Sequence, residues 1–411
     1  MRAAHVLCAT SNMKRLLCAA LAAMMLFLPA CQTGTTPDPV TTAAPSTTAA
    51  PVTHAPATTA APETTEAPAE TTASPVTTAA PETTTPPETE PVAVPTPYVN
   101  PLTGLPTTVD LSNQRPAAIM INNLRVACPQ QGIAQADVLY ECLVEGGITR
   151  LMAVISDYTS ISTIGSVRSS RDYYIDMAQN HDALYIHAGG SPQAYSELYS
   201  RGIDYICGVN MYTPNTFYRD LTRQNTMGYE HSLMTSGEGL RSGIAYKGYR
   251  TTIRDGFTSP FVFDAENDSA KNSSTEAKHL ILNYSAYAVA QMIYSEATNT
   301  YYRFQFGSEP HIDGATGEQL SFTNVLILYN AVSAIPGDTS GRLAVETTGT
   351  GRGWYVSGGK AVPIKWQKDT RDSVIRLTTE AGEQLKMTPG KTFVSILPTT
   401  AENTTVLNHK Q

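Results

Sequence analysis

The sequence predicts a chain of the α+β or α/β class, in which a layered α/β domain precedes a mostly antiparallel β domain. Three observations support this prediction. Between residues 116 and 207, short apolar runs alternate with segments of helical periodicity, as in layered α/β domains. From residue 275 onward, strand-like segments are separated by turn residues about every 8–12 positions, as in sandwiches and barrels. Residues 32–97 consist almost wholly of Thr, Ala, Pro, Glu, Ser and Val, which leaves nothing to bury.

Residues 1–30 are predicted to be a lipoprotein signal peptide, with Met13 as a second candidate for the true start. A basic pair precedes an apolar run over 16–28 that is too short to span a bilayer comfortably. The run ends in LPAC at 28–31, which resembles the bacterial lipobox. We therefore expect Cys31 to carry a lipid that anchors the chain to the extracytoplasmic face of the cell membrane. An ordinary secretory signal and an uncleaved anchor are the alternatives.

Residues 31–97 are predicted to comprise the lipidated cysteine and a disordered, low-complexity linker that holds a folded head away from the membrane. A glycosylated stretch and a plain spacer are the two alternatives, and the plain spacer is favoured. The formal net charge of the chain is −8, and seven carboxylates without a compensating Lys or Arg lie in the linker. The folded remainder is therefore close to neutral. Because it has no basic run, nucleic acid is not expected as a partner.

The first folded region is predicted to span 98–268 and to form the α/β domain. Two of its strands, 138–144 and 151–155, are joined by a turn too short for a parallel crossover, so an antiparallel hairpin is expected. Ser166 is a candidate N-cap for a helix over 167–179. The other predicted elements are strands at 116–121, 183–187 and 205–207, helices at 193–199 and about 233–246, and a long loop at 212–228.

The second folded region is predicted to span 275–400 and to be β-rich. The glycine-rich segment 349–353 superficially resembles a dinucleotide-binding loop, but strands surround it, so we predict a hairpin turn there. The predicted strands are 279–284, 300–306, 324–329, 343–346, 353–356, 362–366, 374–377 and 392–397.

Polar residues collect where the apolar runs of the first region end, which suggests a site on the rim of a sheet. Arg168 and Arg171 would share one face of the predicted helix, beside free N–H groups of its first turn, and this arrangement suits a phosphate or carboxylate. Local ion pairing, for example between Arg168 and Asp172, is the alternative. His187 follows a strand and precedes two glycines, where α/β sheets present site residues; a half-buried His bonded to a backbone carbonyl is the alternative. The predicted ligand-binding residues are Arg150, Arg168, Arg171, Ser169, Ser170, His187, Gly189, Gly190 and His231.

Glu141 and Glu145 are four residues apart on the predicted strand, so both would face one side and could form a catalytic pair. They could equally neutralise nearby arginines, and we expect Arg150 to pair with Glu145.

His311 and Asp313 offer two metal ligands, which is too few to predict a metal site. No metal and no cofactor are predicted. The three cysteines beyond the linker, Cys128, Cys142 and Cys207, are predicted to be mostly structural, and a disulfide between the first and third stays possible.

Several long stretches resemble the YerB-like lipoproteins, a family whose function is unknown. They are RPAAIMINN (115–123), ADVLYECLVEGGITR (136–150), IGSVRSSRDYY (164–174), YIHAGGSPQAY (185–195), YYRFQFGSEPHIDGATGEQLSFTNV (301–325), GTGRGWYVSGGK (349–360) and PIKW (363–366). The resemblance implies a two-part head on a lipoprotein and implies no reaction. Where relatives tend to have a Pro-His-Asn-like stretch, this chain has EHS at 230–232, which keeps only the histidine.

These patterns favour a membrane-anchored lipoprotein that binds an anionic or sugar-containing ligand of the cell envelope. Two alternatives stay open. One is an envelope hydrolase or lyase that uses Glu141 or Glu145 with His187, and the other is a scaffold that docks a membrane protein. Whether the chain is an enzyme is not decided by the sequence.

Overall fold

The computed structural model describes residues 96–410. The predicted signal peptide, Cys31 and nearly all of the predicted linker lie outside the described residues. Within 96–410, no helix has the length and apolar character needed to cross a membrane.

Four α-helices occur in the described part of the chain. Three of them begin with a side-chain cap that the sequence analysis did not predict: Ser191 accepts a hydrogen bond from the Ala194 N–H at 3.1 Å, Asp220 from the Arg223 N–H at 3.0 Å, and Ser236 from the Gly239 N–H at 3.1 Å. The helices are α1 (Asp172–Gln179), α2 (Pro192–Ser200), α3 (Leu221–Met227) and α4 (Gly237–Lys247). Short 3-10 helices occupy Arg125–Ala127, Ile133–Gln135, Glu145–Gly147, Tyr158–Ser160, Tyr229–His231 and Thr399–Thr404.

Before residue 270 the structure contains the five strands that the apolar runs predict and six short strands that were not predicted, one of which occupies the start of the helix predicted at 233–246. They are β1 (Tyr98–Val99), β2 (Pro106–Thr107), β3 (Ala117–Ile121), β4 (Val138–Leu143), β5 (Thr149–Ile155), β6 (Ile164–Gly165), β7 (Leu184–His187), β8 (Tyr205–Cys207), β9 (Phe217–Arg219), β10 (Leu233–Thr235) and β11 (Val262–Phe263). Strands β4 and β5 pair in antiparallel fashion, which confirms the predicted hairpin.

The remaining strands are β12 (Thr275–Glu276), β13 (His279–Asn283), β14 (Val289–Ser295), β15 (Thr300–Gln305), β16 (Glu309–Pro310), β17 (Ser321–Phe322), β18 (Asn324–Asn330), β19 (Val332–Ala334), β20 (Leu343–Val345), β21 (Gly349–Ser357), β22 (Lys360–Lys368), β23 (Arg376–Thr379), β24 (Lys386–Met387) and β25 (Thr392–Pro398). Strands β13 to β17 form a separate five-stranded antiparallel sheet.

The central feature is an eleven-stranded mixed sheet that draws strands from both predicted regions. Its order is β12-β22-β21-β18-β25-β4-β5-β3-β7-β8, with β23 paired to β22. Strand β25 is parallel to both of its neighbours, β18 and β4, and β3, β7 and β8 are parallel to one another. The last long strand of the chain therefore lies in the middle of the sheet, between the two regions that the sequence separates.

Both faces of the central strands β3, β4, β5, β7, β8, β18 and β25 are buried, which explains why these strands are apolar at most positions. Ile119 and Leu151 belong to one core cluster, which also contains residues of α4 and of the five-stranded sheet. Their neighbours Met120 and Met152 belong to a second cluster, which contains residues of α1 and α2. Successive side chains of a strand point to opposite faces, so one strand contributes to both cores.

Three predicted elements differ in the structure. The helix predicted at 167–179 begins only at Asp172, because residues 164–168 are extended and make hydrogen bonds to β3 and β10 instead. The long loop predicted at 212–228 contains β9 and α3. The glycines of 349–353 lie within strand β21 rather than in a turn; a side chain at Gly351 would collide with the ring of Trp366 on the neighbouring strand, at 2.3 Å.

Candidate functional site

One edge of the large sheet gathers the ends of five neighbouring strands. Strands β3, β4, β7 and β8 end there, and β5, which is antiparallel to β3 and β4, begins there. We call this side the carboxyl edge. All the residues that the sequence singles out as a candidate site lie on it or in the segments that follow it. In open α/β sheets this is the side on which ligands bind.

An extended segment, residues 166–171, runs along the carboxyl edge. The Arg168 N–H donates to the Met120 carbonyl at 2.9 Å, and the Arg168 carbonyl accepts from the Ala188 N–H at 2.9 Å. The segment therefore connects the end of β3 with the turn that follows β7. Arg168 and Arg171 consequently do not share a helical face, and Ser166 is not an N-cap. The predicted anion site in the first turn of this helix is wrong in its geometry.

The segment nevertheless brings three arginines together. We call Arg150, Arg168 and Arg171, with the carboxylate of Glu145, the arginine cluster. Arg171 donates from Nε to Glu145 Oε2 at 2.9 Å and makes a second, shorter contact through Nη2. Arg150 Nη2 lies 3.8 Å from Glu145 Oε1, and its Nη1 donates to the Ser169 carbonyl at 2.9 Å. The closer partner of Glu145 is thus Arg171, not the predicted Arg150.

Two nearly buried guanidinium groups therefore share one carboxylate. Burial, followed by repulsion from Arg171, lowers the pKa of Arg150 to about 10, and Arg168 contributes further repulsion. Burial alone would raise the pKa of Glu145, but the hydrogen bonds and charge of Arg171 outweigh it and lower that pKa. The cluster has more positive charge than its own carboxylate neutralises.

Arg168 pairs with a residue that the sequence did not suggest. Its Nη1 donates to the carbonyl and to Oε2 of Glu230, both at 3.1 Å, whereas Asp172 pairs with Arg371. The Nε of Arg168 is buried and has no hydrogen-bond partner among residues 96–410. His231 lies beside this pair, with its Nε2 at 3.5 Å from Glu230 Oε1. The local pairing of Arg168 with Asp172, which was the alternative to an anion site, does not occur.

The serines and glycines of the predicted site contact one another. The Ser170 N–H donates to the Gly189 carbonyl at 2.9 Å, and Ser170 also forms an isolated β-bridge with Gly190. Gly189 has φ of 74°, a left-handed conformation that favours glycine, and a Cβ there would lie 3.4 Å from Ser169 Oγ. His187 is fully buried, and its Nδ1 lies 2.7 Å from the Gly189 carbonyl oxygen, the arrangement given above as the alternative to a ligand role.

Glu141 and Glu145 do not form a pair on one strand, because Glu145 lies beyond the end of β4 in a 3-10 turn. The carboxylate of Glu141 is buried and accepts hydrogen bonds from Thr149 Oγ1 at 2.7 Å, Asn123 Nδ2 at 3.1 Å and Arg303 Nη2 at 2.6 Å. Both carboxylate oxygens thus have hydrogen-bond partners. This geometry offers no support for the two glutamates as an acid and base pair.

A cleft of about 200 Å³ opens above Glu141. Asn123, Thr149 and Arg303 line it, and the exposed ring of Tyr287 stands at its rim. The possible metal ligands are occupied elsewhere: His311 Nε2 bonds to Gln130, and the Asp313 carboxylate accepts hydrogen bonds from three backbone N–H groups. Within 96–410, no group of three or more His, Cys, Asp or Glu side chains is placed to hold a metal.

Sequence reasoning missed two residues of this edge. Arg303 comes from β15, far along the chain, and no local pattern connects it with Glu141. Cys207 was assigned a structural role, yet it ends β8 directly beside His187 on β7. The sequence held a signal for Cys207, since His187 and Cys207 each end a predicted strand. The sequence did not show that these two strands are neighbours. All three cysteines of the described chain are free, so the disulfide between Cys128 and Cys207 is absent.

Comparisons with known proteins show the family to which the chain belongs. Residues 102–250 match the N-terminal domain of a protein family of unknown function, DUF3048, and residues 280–394 match its C-terminal domain. The chain belongs to this YerB-like family, as its sequence motifs predicted. It is 28% identical to YerB of Bacillus subtilis (strain 168), named as a candidate lipoprotein, over 72% of this chain and 86% of that protein. The crystal structure of YerB from Bacillus subtilis superposes with a TM-score of 0.62 at 27% identity, covering 73% of this chain and 96% of that one.

Proposed function

We propose that this chain is a lipid-anchored protein of the extracytoplasmic membrane face that binds an anionic or sugar-containing ligand of the cell envelope. The anchoring part is supported by the LPAC motif that ends at Cys31 and by the lipoprotein name of the Bacillus subtilis relative. In this proposal the first folded region acts as a layered α/β unit that presents the ligand site at its carboxyl edge.

The observation that carries the ligand proposal is the unbalanced charge of the arginine cluster. Arg150 and Arg171 share the carboxylate of Glu145, and the remaining arginine, Arg168, meets only the exposed Glu230. Keeping guanidinium groups partly out of water without full compensation costs free energy, and an incoming anion would recover it. The buried, unpartnered Nε of Arg168 provides a donor for such an anion.

An aromatic surface lies beside the same cluster. Tyr229 precedes Glu230 and leaves 64% of its surface exposed, while the guanidinium of Arg219 stacks on its ring at 3.7 Å from the centroid. Tyrosine rings combine an apolar face with a polar hydroxyl, and this combination suits the mixed surface of a sugar. The site therefore favours a ligand that carries an anionic group next to a sugar ring.

Calorimetric titration tests the ligand site directly. We expect inorganic phosphate and soluble anionic cell-wall fragments to bind the full chain, and neutral sugars to bind much less tightly. Arg168→Ala should weaken binding of the fragments at least about tenfold, which corresponds to the loss of one charge-assisted contact. Arg241→Ala, which removes an arginine on α4 that contacts only the Thr159 carbonyl, is the matched control and should bind normally. Equal affinities of Arg168→Ala and the unmodified chain would contradict the site.

Membrane fractionation tests the anchor. Cys31→Ala should move the head from the membrane fraction to the soluble fraction, because a single thiol would carry the lipid. Cys18→Ala, which changes a cysteine inside the predicted apolar run, is the control and should leave the protein membrane-bound. A processed Cys31→Ala protein that stays in the membrane fraction would refute the lipobox assignment.

A further inference from the structure

His187 and Cys207 lie side by side at the carboxyl edge. They are register partners on the parallel strands β7 and β8, and each is the last residue of its strand. Because partners in register project to the same face of a sheet, the imidazole and the thiol are neighbours. Both side chains are fully buried. A cysteine beside a histidine at this edge is placed as catalytic nucleophiles are placed in α/β sheets.

The hydrogen bonds around the pair orient the imidazole. The Nδ1 of His187 lies 2.7 Å from the Gly189 carbonyl oxygen, which can only accept, so Nδ1 carries the proton. The unprotonated Nε2 is buried and has no hydrogen-bond partner in the described part of the chain. The N–H of the same Gly189 donates to Cys207 Sγ at 3.3 Å. One glycine thus fixes the tautomer of the base and supports negative charge on the sulfur.

These surroundings distinguish Cys207 from the other two cysteines. Burial raises the pKa of the Cys207 thiol, but the neighbouring His187 and the backbone N–H groups of Asn210 and Gly189 outweigh burial and lower that pKa from 9.0 to about 6. The other titratable groups that face the sulfur are the hydroxyls of Tyr195 and Tyr205, which are uncharged at neutral pH.

By contrast, burial raises the pKa of Cys128 to about 11, and it also raises the pKa of Cys142. Among the cysteines of residues 96–410, Cys207 is therefore the one whose pKa is lowered, and a lowered pKa increases the share of the reactive thiolate form.

The pair lies just below the surface. The hydroxyl of Tyr195 is 3.8 Å from Cys207 Sγ and accepts a hydrogen bond from the exposed Asn210 at 2.9 Å. The ring of Tyr195 stacks on Tyr199, which leaves 67% of its surface exposed, with 6.3 Å between ring centroids. The side chain of Tyr195 therefore lies between the sulfur and the exposed residues Asn210 and Tyr199.

We propose that Cys207 is a nucleophile with His187 as its general base, and that the pair accepts acyl groups from activated esters or thioesters. The thiol proton moves to Nε2 of His187, and Sγ forms a bond to the carbonyl carbon. The bond from this carbon to the leaving oxygen or sulfur breaks, and the leaving group takes the proton from Nε2. Water, deprotonated by Nε2, then cleaves the thioester on Cys207 to release the acid and restore the thiol.

This activity is independent of the anion site at the arginine cluster. Its residues are the last residues of β7 and β8, whereas the charge argument for the anion site rests on Arg150, Arg168 and Arg171. Loss of phosphate binding in Arg168→Ala would leave the reactivity of Cys207 unchanged, so failure of one proposal does not entail failure of the other.

Alkylation by iodoacetamide, mapped by peptide mass spectrometry on the full chain, is the first test. At pH 7 we expect Cys207 to be alkylated at least about tenfold faster than Cys128, although Cys128 is the more exposed of the two. The rate at Cys207 should fall at acidic pH with a midpoint near 6. Equal or slower alkylation of Cys207 at pH 7 would overturn the proposal. His187→Gln should raise this midpoint and slow the reaction at pH 7. If that variant fails to fold, the alkylation rates of Cys207 and Cys128 in the unmodified chain still test the proposal.

Acylation by p-nitrophenyl acetate is the second test. We expect a burst of p-nitrophenolate equal to the amount of protein, with one acetyl group on the peptide that contains Cys207. Cys128→Ser should keep the burst and Cys207→Ser should lose it, while both keep the melting temperature of the unmodified chain. Alkylation at Cys207 without any acetylation there would overturn the acyl-transfer assignment.

Discussion

Arg303 Nη2 donates a hydrogen bond to Glu141 Oε2 at 2.6 Å, across 162 residues of sequence. The two side chains are 0% and 3% exposed, so the pair is fully removed from water. Nη1 of Arg303 contacts Gln305 and His311 in addition. This ion pair connects β4 with β15, which lie in the two stretches that separate family models match. It stands at the floor of the cleft beside the carboxyl edge.

Removal of one partner should destabilise the protein strongly. Glu141→Leu leaves the Arg303 guanidinium buried without a carboxylate, and we expect a loss of about 3–5 kcal/mol in the free energy of unfolding. Urea denaturation followed by circular dichroism measures this loss. The double variant Glu141→Leu/Arg303→Met removes both charges and should cost clearly less than the sum of the single changes. Additive losses would show that the two side chains are not coupled.

The arginines of the cluster should differ in their contribution to stability. Arg171 makes two hydrogen bonds to the partly exposed Glu145, so Arg171→Ala should cost about 1–3 kcal/mol. Arg168 meets an exposed carboxylate, so Arg168→Ala should cost less than about 1 kcal/mol. Thermal and urea unfolding of the two variants, side by side, measure the difference. A larger loss for Arg168→Ala would mean that this residue has a structural role.

Lys368 should make stability depend on pH in the alkaline range. Its ammonium is buried and donates to Asn180 Oδ1 at 3.0 Å, and burial lowers its pKa from 10.5 to about 8. Between these two values the unfolded chain binds more protons than the folded chain, so the free energy of unfolding should rise with pH, by up to about 3 kcal/mol. The stability difference between the unmodified chain and Lys368→Met, measured from pH 8 to 10, isolates this effect. A difference that stays constant over this range would exclude it.

The composition of residues 32–97 leads to a prediction for limited proteolysis. Cleavage should concentrate before Tyr98 and leave a resistant fragment that retains Val406 and Asn408, which bridge to β13. The melting temperature of this fragment should equal that of the full chain, because the removed stretch has no large apolar or aromatic side chains to pack on the head. A clearly lower melting temperature of the fragment would contradict the prediction of a disordered linker.

Local patterns predicted the central strands of the large sheet because burial on both faces gives these strands continuous apolar runs, but they missed β14 and most of the two- and three-residue strands. They could not predict the start of α1. Gly165 and Ser166 have the local chemistry of a helix start, but the backbone around them is engaged by Met120, Ala188 and Leu233 from three other segments. Such long-range hydrogen bonds leave no trace in a local window. The order of strands in the large sheet was inaccessible for the same reason.

The candidate site was predictable in part. Polar residues at the ends of apolar runs indicated a rim, and the structure places Arg150, Arg168, Arg171 and His187 along one edge. The partners were not predictable, since Glu230 and Arg303 reach the edge from distant segments. Cys207 shows the limit most clearly: within its own strand it resembles a small core residue, and only the register with His187 gives it a chemical neighbour.

The position of β25 has a consequence for the order in which the molecule can be assembled. Strand β25 lies between β4 and β18 and pairs with both. Each of these two strands therefore lacks one of its two neighbours until nearly the whole chain has been synthesised. Until then, two sheet fragments expose open hydrogen-bonding edges, which are prone to pair with other chains. A chain that ends prematurely before residue 392 would therefore be a substrate for chaperones and proteases rather than a smaller working protein.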